Sequence, residues 1–246
     1  MKTRVRILLA FVVLTLVIAA RGDTLNFLCD TAVDPISLLP PPPALDCDEG
    51  RAELDFLLAL QEKRTPEQVA RCRATLNMSL FQGVLGPWFT AANLPKLDRL
   101  SRKVDKDSQY FVTRAKKHFN RLRPAQEDSR ITWAVSPDAS LAYPSGHSTW
   151  GTVHALLLAE VAPEYRAALL ERGREIGWDR AVAGAHHYSD VVAGRVLGRA
   201  LWQALLKSPQ FREELATVKT ELNDVAQRAP RRPFQTLSVH SSEAQP

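Results

Sequence analysis

Past its first twenty residues, this chain of 246 residues has no apolar run approaching the roughly 20 residues that a bilayer-spanning helix needs, so no membrane span is expected in its body. Convincing period-two alternation of apolar and polar residues is also missing, which argues against a sheet, and no internal repeat is visible. Cysteine is scarce: Cys29, Cys47 and Cys72 all fall in the first third, with no zinc-site spacing. In an oxidising compartment they leave room for one disulfide and a spare thiol, and their expected role is structural. A strong excess of charge is absent as well. Formal charge is +5 from 32 basic and 27 acidic residues, but Lys2, Arg4 and Arg6 belong to the leader, so 29 basic residues face 27 acidic ones beyond it. That near-balance implies no nucleic-acid partner and no charged membrane surface. With 45% apolar and 24% charged residues, the chain has the composition of a folded domain.

What is present begins with a basic start, an apolar run from Ile7 to Ile18 and small Ala19-Ala20, which reads as a cleavable signal peptide over 1–20. Leu28 before Cys29 argues against lipid attachment. The expected location is periplasmic or secreted, with no stable membrane insertion after cleavage, and a homodimer is left open. "SLLPPPPALD" makes 21–51 an extended, proline-rich lead-in strap. Residues 52–227 read as a single all-α domain, a multi-helix bundle, and the polar stretch 228–246 as a flexible tail. Thr65-Pro66-Glu67-Gln68 has the form of a capping box with proline at the first helical position. Further helices are predicted over Ala74 to Leu85, Pro95 to Arg102, Ser108 to Leu122, Ser148 to Glu160, Pro163 to Gly177 or beyond, and Asp190 to Leu206.

Three segments carry chemistry. In "KKHFNRLRP", Lys116 and Arg123 are seven residues apart, about two helical turns, and so share a face of a helix predicted to end at Arg123 before Pro124. Basic charge gathers there, at Arg114, Lys116, Lys117, Arg121 and Arg123; alone, the segment fits a solvated basic face better than a binding site. In "YPSGHSTWGT", Ser145 can cap a helix whose first N–H groups face an anion, and Gly146 permits close backbone approach beside His147. An ordinary helix entry with an incidental histidine is the alternative. In "GWDRAVAGAHHYSDVVAGR", Arg180 precedes His186 by six residues and Asp190 follows by four. An ionised Asp190 can hold the His186 Nδ1–H and leave Nε2 as a lone-pair nucleophile. The neighbouring His187 is expected to turn its ring elsewhere as a satisfied surface or packing residue.

Together these three segments, in order and with these spacings, resemble the signature motifs of the phosphatidic acid phosphatase type 2 superfamily. The leader, the "LLPPPPA" strap and the size look most similar to the bacterial class A nonspecific acid phosphatases. The resemblance implies an acid phosphatase that hydrolyses small phosphomonoesters without metal or other cofactor through a phosphohistidine. It assigns His186 as nucleophile, Asp190 as its support and His147 as general acid and then base, with Lys116, Arg123, Ser145, Gly146 and Arg180 binding the phosphoryl group. In that superfamily the third motif usually begins Ser-Arg, whereas this chain has Asp179-Arg180, and Asp179 is expected to face outward. Four alternatives are weighed against this reading, one of them a membrane-embedded lipid phosphatase, which would need several spanning helices that the sequence lacks. A zinc hydrolase using His147, His186 and Asp190 is opposed by three nearby cations. A vanadium haloperoxidase shares the resemblance, and a secreted anion-binding helical protein without turnover would account for the same cations.

Overall fold

The computed structural model describes residues 25–228. The expected signal peptide, and the tail beyond its first residue, lie outside the described residues. Ten α-helices occur there and no strand: α1 (Pro35–Leu38), α2 (Asp48–Lys63), α3 (Pro66–Cys72), α4 (Gln82–Leu85), α5 (Pro95–Phe119), α6 (Pro124–Glu127), α7 (Gly146–Val161), α8 (Arg166–Val182), α9 (Tyr188–Leu205) and α10 (Pro209–Arg228). The protein is all-α, as its patterning implies. The Thr65 box forms, with Gln68 N–H donating to Thr65 Oγ1 and Thr65 N–H to Gln68 Oε1.

Several boundaries differ from the sequence expectation. The two helices expected over Pro95 to Arg102 and Ser108 to Leu122 are one continuous α5, because Leu97, Leu100, Val104, Phe111, Val112 and Ala115 keep one buried stripe running through the polar 105–109 interval. That helix stops at Phe119, where Asn120 adopts a left-handed conformation (φ 49°), so Arg123 is not on it. The helix expected over Ala74 to Leu85 is only a 3-10 turn (Met78–Phe81) capped by Asn77, followed by the short α4. Helix α10 was not singled out in the sequence, although Phe211, Leu215, Val218 and Leu222 recur at helical spacing and are its buried face. The three cysteines are all free thiols, with Cys29 exposed, Cys47 partly buried and Cys72 buried.

The bundle centres on α7, whose two long flanks pack on α8 and α9. Helices approach this closely only over small residues. A Cβ on Gly194 of α9 would sit 2.6 Å from the Ser145 carbonyl oxygen at the start of α7, so glycine here brings α9 against the turn that carries His147. Gly184 takes a left-handed φ of 67° and turns the chain from α8 into α9, returning His186 beneath Arg180. The His186 N–H donates to the Arg180 carbonyl (3.2 Å) across that turn. The lead-in is tied down at several points. Asp107 of α5, fully buried, accepts the N–H groups of Asn26, Phe27 and Leu28, and the Tyr143 hydroxyl donates to the Pro40 carbonyl (2.7 Å).

Candidate active site

The three chemistry-bearing segments converge. Arg123, 1% exposed, reaches the start of α9 from just before α6: its Nη1 lies 2.8 Å from the Ala185 carbonyl and 2.6 Å from His186 Nε2. Asp190, in the first turn of α9, accepts from His186 Nδ1 through Oδ2 (3.2 Å). The network therefore assigns His186 the Nδ1–H tautomer, with its Nε2 lone pair directed at Arg123. Burial, and then the positive charges of Arg123 and Lys116, hold the His186 pKa well below the usual imidazole range against the pull of Asp190, so the ring is neutral. Burial would raise the Asp190 pKa, but hydrogen bonds from His186 and His187 outweigh it and keep the carboxylate ionised far below its usual range.

Lys116, on the last turn of α5, meets Arg123 through Ser140. Its Nζ donates to Ser140 Oγ (3.1 Å), and Arg123 Nη2 donates to the same oxygen (2.9 Å). The two cations thus converge as their spacing suggested, though across a helix end rather than along one helical face. Burial and the neighbouring Arg123 push the Lys116 pKa down to about 8. Arg180, 8% exposed on the last turn of α8, donates from Nη1 to the Cys72 carbonyl (3.2 Å), while its buried Nε has no acceptor among the described residues. Ser145 caps α7, accepting from the Ser148 N–H (3.3 Å), and its own N–H donates to the Asp190 carbonyl (2.9 Å), which locks the second motif to the third. The N–H groups of Gly146 and His147 have no acceptor among the described residues, as the first turn of a helix leaves them. A Cβ at Gly146 would come no nearer than 3.8 Å to Val112, so no protein neighbour requires glycine there.

His147 and Arg180 together face a cavity of about 450 Å³ whose other walls include Cys72, Thr75, Leu76 and Ser136. Burial and the charges of Arg180, Arg123 and Lys116 push the His147 pKa down to about 3. The ring therefore shares the field of all three cations.

Other side chains complete the site. Arg121 points away from Lys116 and lies behind Asp190, donating to Asp190 Oδ1 (2.7 Å), to Glu53 Oε2 (2.8 Å) and to Ser189 Oγ (2.7 Å). Glu53 of α2 also accepts the Ser189 N–H (2.6 Å). The rest of the basic cluster disperses, Arg114 toward Asp34 and Lys117 into solvent. Asp138 and Ser140, on the segment between α6 and α7, reach Arg123; their only sequence signal is the Asp-x-Ser pattern of an Asx turn, with the Ser140 N–H on Asp138 Oδ1 (2.8 Å). His187 departs from expectation. It is fully buried, shares Asp190 Oδ2 (3.3 Å from Nδ1) and has Nε2 2.7 Å from Glu127 Oε2, a close approach in which neither atom is aligned for a hydrogen bond. Burial lowers its pKa, but Asp190 and Glu127 together raise it above the usual value. Asp179 does not face outward either. It is 4% exposed, and its Oδ1 accepts from Arg71 Nη2 of α3 (3.0 Å) rather than from Arg180.

Among the described residues no helix is long and apolar enough to cross a membrane. A family model described as the PAP2 superfamily matches residues 108–214, a span that contains all three segments of the site. The chain is 32% identical over 197 residues to a non-specific acid phosphatase of Salmonella typhi, covering 76% of this chain and 79% of that protein. It is 31% identical over 203 residues to one from Providencia stuartii, covering 77% and 81%. To one from Salmonella typhimurium it is 35% identical over 150 residues, which are 59% of this chain and 60% of that relative's length. A family model anchored on the site, and likeness sustained over 79% and 81% of two relatives, give one conclusion: the chain belongs to the PAP2 superfamily.

Proposed function

We propose that the protein is an acid phosphatase that hydrolyses small phosphomonoesters without a metal, through a phosphohistidine at His186. The observation that carries this reading is the fixed imidazole. Asp190 holds Nδ1–H at 3.2 Å while Nε2 lies 2.6 Å from the Arg123 guanidinium, where a phosphoryl oxygen bound to that arginine would bring phosphorus to the lone pair. The names of the relatives support the same class of reaction.

In the first half of the reaction, Nε2 forms a bond to phosphorus as the bond to the ester oxygen breaks, and His147 gives that oxygen its proton. In the second half, His147 takes a proton from water, whose oxygen attacks phosphorus and displaces Nε2, releasing inorganic phosphate. The dianion lies among Lys116, Arg123, Arg180 and the N–H groups at the start of α7, so charge stabilisation and positioning supply the acceleration. The unpaired Nε of Arg180 is a donor suited to a phosphoryl oxygen. His147 with a pKa of about 3 is neutral above that pH, so it becomes an acid only when a bound dianion offsets the surrounding cations. Those same cations repel a divalent metal. The expected outcome is hydrolysis of p-nitrophenyl phosphate by chelator-treated protein, with His186→Ala slower by at least about 10³-fold. Comparable rates for both proteins would refute the nucleophile, and loss of wild-type activity on chelation would refute metal independence.

A further inference from the structure

Arginine has five N–H groups, and Arg123 donates every one of them inside the protein. Nε goes to the Ser140 carbonyl (2.8 Å), Nη1 to the Ala185 carbonyl (2.8 Å) and His186 Nε2 (2.6 Å), and Nη2 to Ser140 Oγ (2.9 Å) and Asp138 Oδ2 (2.5 Å). A phosphoryl oxygen that binds Arg123 must therefore take the place of one of these acceptors. They are not equally replaceable. The two carbonyls are fixed by backbone. The His186 Nε2 lone pair leaves Nη1 when it attacks phosphorus, which frees one N–H for a phosphoryl oxygen, so a second oxygen on Arg123 has to displace an acceptor of Nη2. Ser140 Oγ is neutral and also serves Lys116. Asp138 differs in each respect. Its side chain is 48% exposed, so a displaced carboxylate regains water, and it sits on a non-helical segment between α6 and α7. It alone among the five acceptors carries a negative charge.

We propose that Asp138 is an affinity-setting residue of this site: an internal carboxylate that competes with the substrate's phosphoryl group for Arg123 and weakens the hold on substrate and product phosphate alike. The inference rests on the reading of Arg123 as a phosphoryl ligand. The competition has two parts. Binding breaks a charge-assisted hydrogen bond to Arg123, and the displaced carboxylate stays close to a dianion of like charge because its own Asx turn to the Ser140 N–H tethers it. Product phosphate meets the same opposition, so Asp138 also hastens its departure.

Asp138→Asn removes the charge while keeping the shape and the acceptor oxygen of the turn; Asp138→Ser removes it with a different side chain that can still accept from the turn; Asp138→Glu keeps the charge on a longer arm. The measurements are KM and kcat for p-nitrophenyl phosphate and the dissociation constant of inorganic phosphate by calorimetry, at one pH and one ionic strength. Asp138→Asn and Asp138→Ser are expected to lower both KM and the phosphate dissociation constant about tenfold, equivalent to about 1.4 kcal/mol, with kcat unchanged or reduced. Asp138→Glu should bind phosphate as the wild type does. Asp138 is half-exposed, but its partner Arg123 is buried, so the Asn and Ser variants are expected to lower the melting temperature, and binding is measured well below it. Phosphate binding by Asp138→Asn that is no tighter than wild type overturns the inference, as does a Glu variant that binds as tightly as the Asn variant. A wild type that neither binds phosphate nor turns over p-nitrophenyl phosphate would instead refute the underlying reading of the site.

Discussion

Arg121 offers the sharpest test of how the proposed nucleophile is held, because it touches Asp190 from the side opposite His186. The perturbation is Arg121→Met, which keeps the stem and removes the guanidinium. Asp190 is fully buried and gives Oδ1 to Arg121 alone, at 2.7 Å, while Oδ2 is shared by His186 and His187. Removing Arg121 strands that oxygen and also strips Glu53, only 12% exposed, of its one cationic partner. Breaking a buried ion pair from one side costs about 3–5 kcal/mol, and two carboxylates depending on one guanidinium put the expectation at the upper end. That is a large share of a typical domain stability of about 5–15 kcal/mol, so kinetics are read at a temperature where circular dichroism shows the variant folded. Urea unfolding gives the loss directly. Arg121→Met combined with Glu53→Gln should recover part of it, with a coupling of about 0.5–3 kcal/mol, because the second change removes a stranded charge. In kinetics, kcat should fall about 10- to 100-fold with KM nearly constant, since Arg121 acts through the orientation of Asp190 and not on substrate. A tenfold rise in KM with kcat unchanged would refute this and place Arg121 among the phosphate ligands; unchanged stability would refute the ion-pair argument itself.

Two further outcomes follow from single groups. Lys116 loses its proton near pH 8, so kcat/KM should fall as pH rises through that value, its positive charge being fully present only below it. Lys116→Arg should push this limb upward, and a limb that stays put would exclude Lys116 as its source. Asp107→Ala leaves the N–H groups of Asn26, Phe27 and Leu28 without their shared acceptor, and should lower stability by about 3 kcal/mol with little change in kcat. Limited proteolysis should then cut the chain near residue 28, and an unchanged melting curve would argue that water replaces the carboxylate.

How far the site could be read from sequence depended on how far apart its partners lie. Ser145, His186 and Asp190 were legible because each motif is local: a cap acts over three residues, and a histidine and an aspartate four apart at a helix start meet on one face. Lys116 and Arg123 were expected to converge, and they do, but for a different geometric reason. A uniform helix would align them, but Asn120 ends α5 in a left-handed turn, and the two cations meet only because Ser140, from a segment with no periodicity, reaches both. Glu53 was out of reach altogether, since its contact with Ser189 spans 136 positions and leaves no mark on either local pattern. The same holds for the unusual acid in the third motif. Asp179 was expected to face solvent, yet it is buried, with its charge taken up by Arg71, 108 positions earlier. Arg71 stands at the end of α3, and the next residue, Cys72, gives its carbonyl to Arg180 and its thiol to the Asp179 carbonyl. One short helix therefore neutralises the acid and seats the arginine beside it. A carboxylate next to an arginine proposed to bind phosphate is compatible with that role only if some other cation claims it, and in this chain α3 brings that cation.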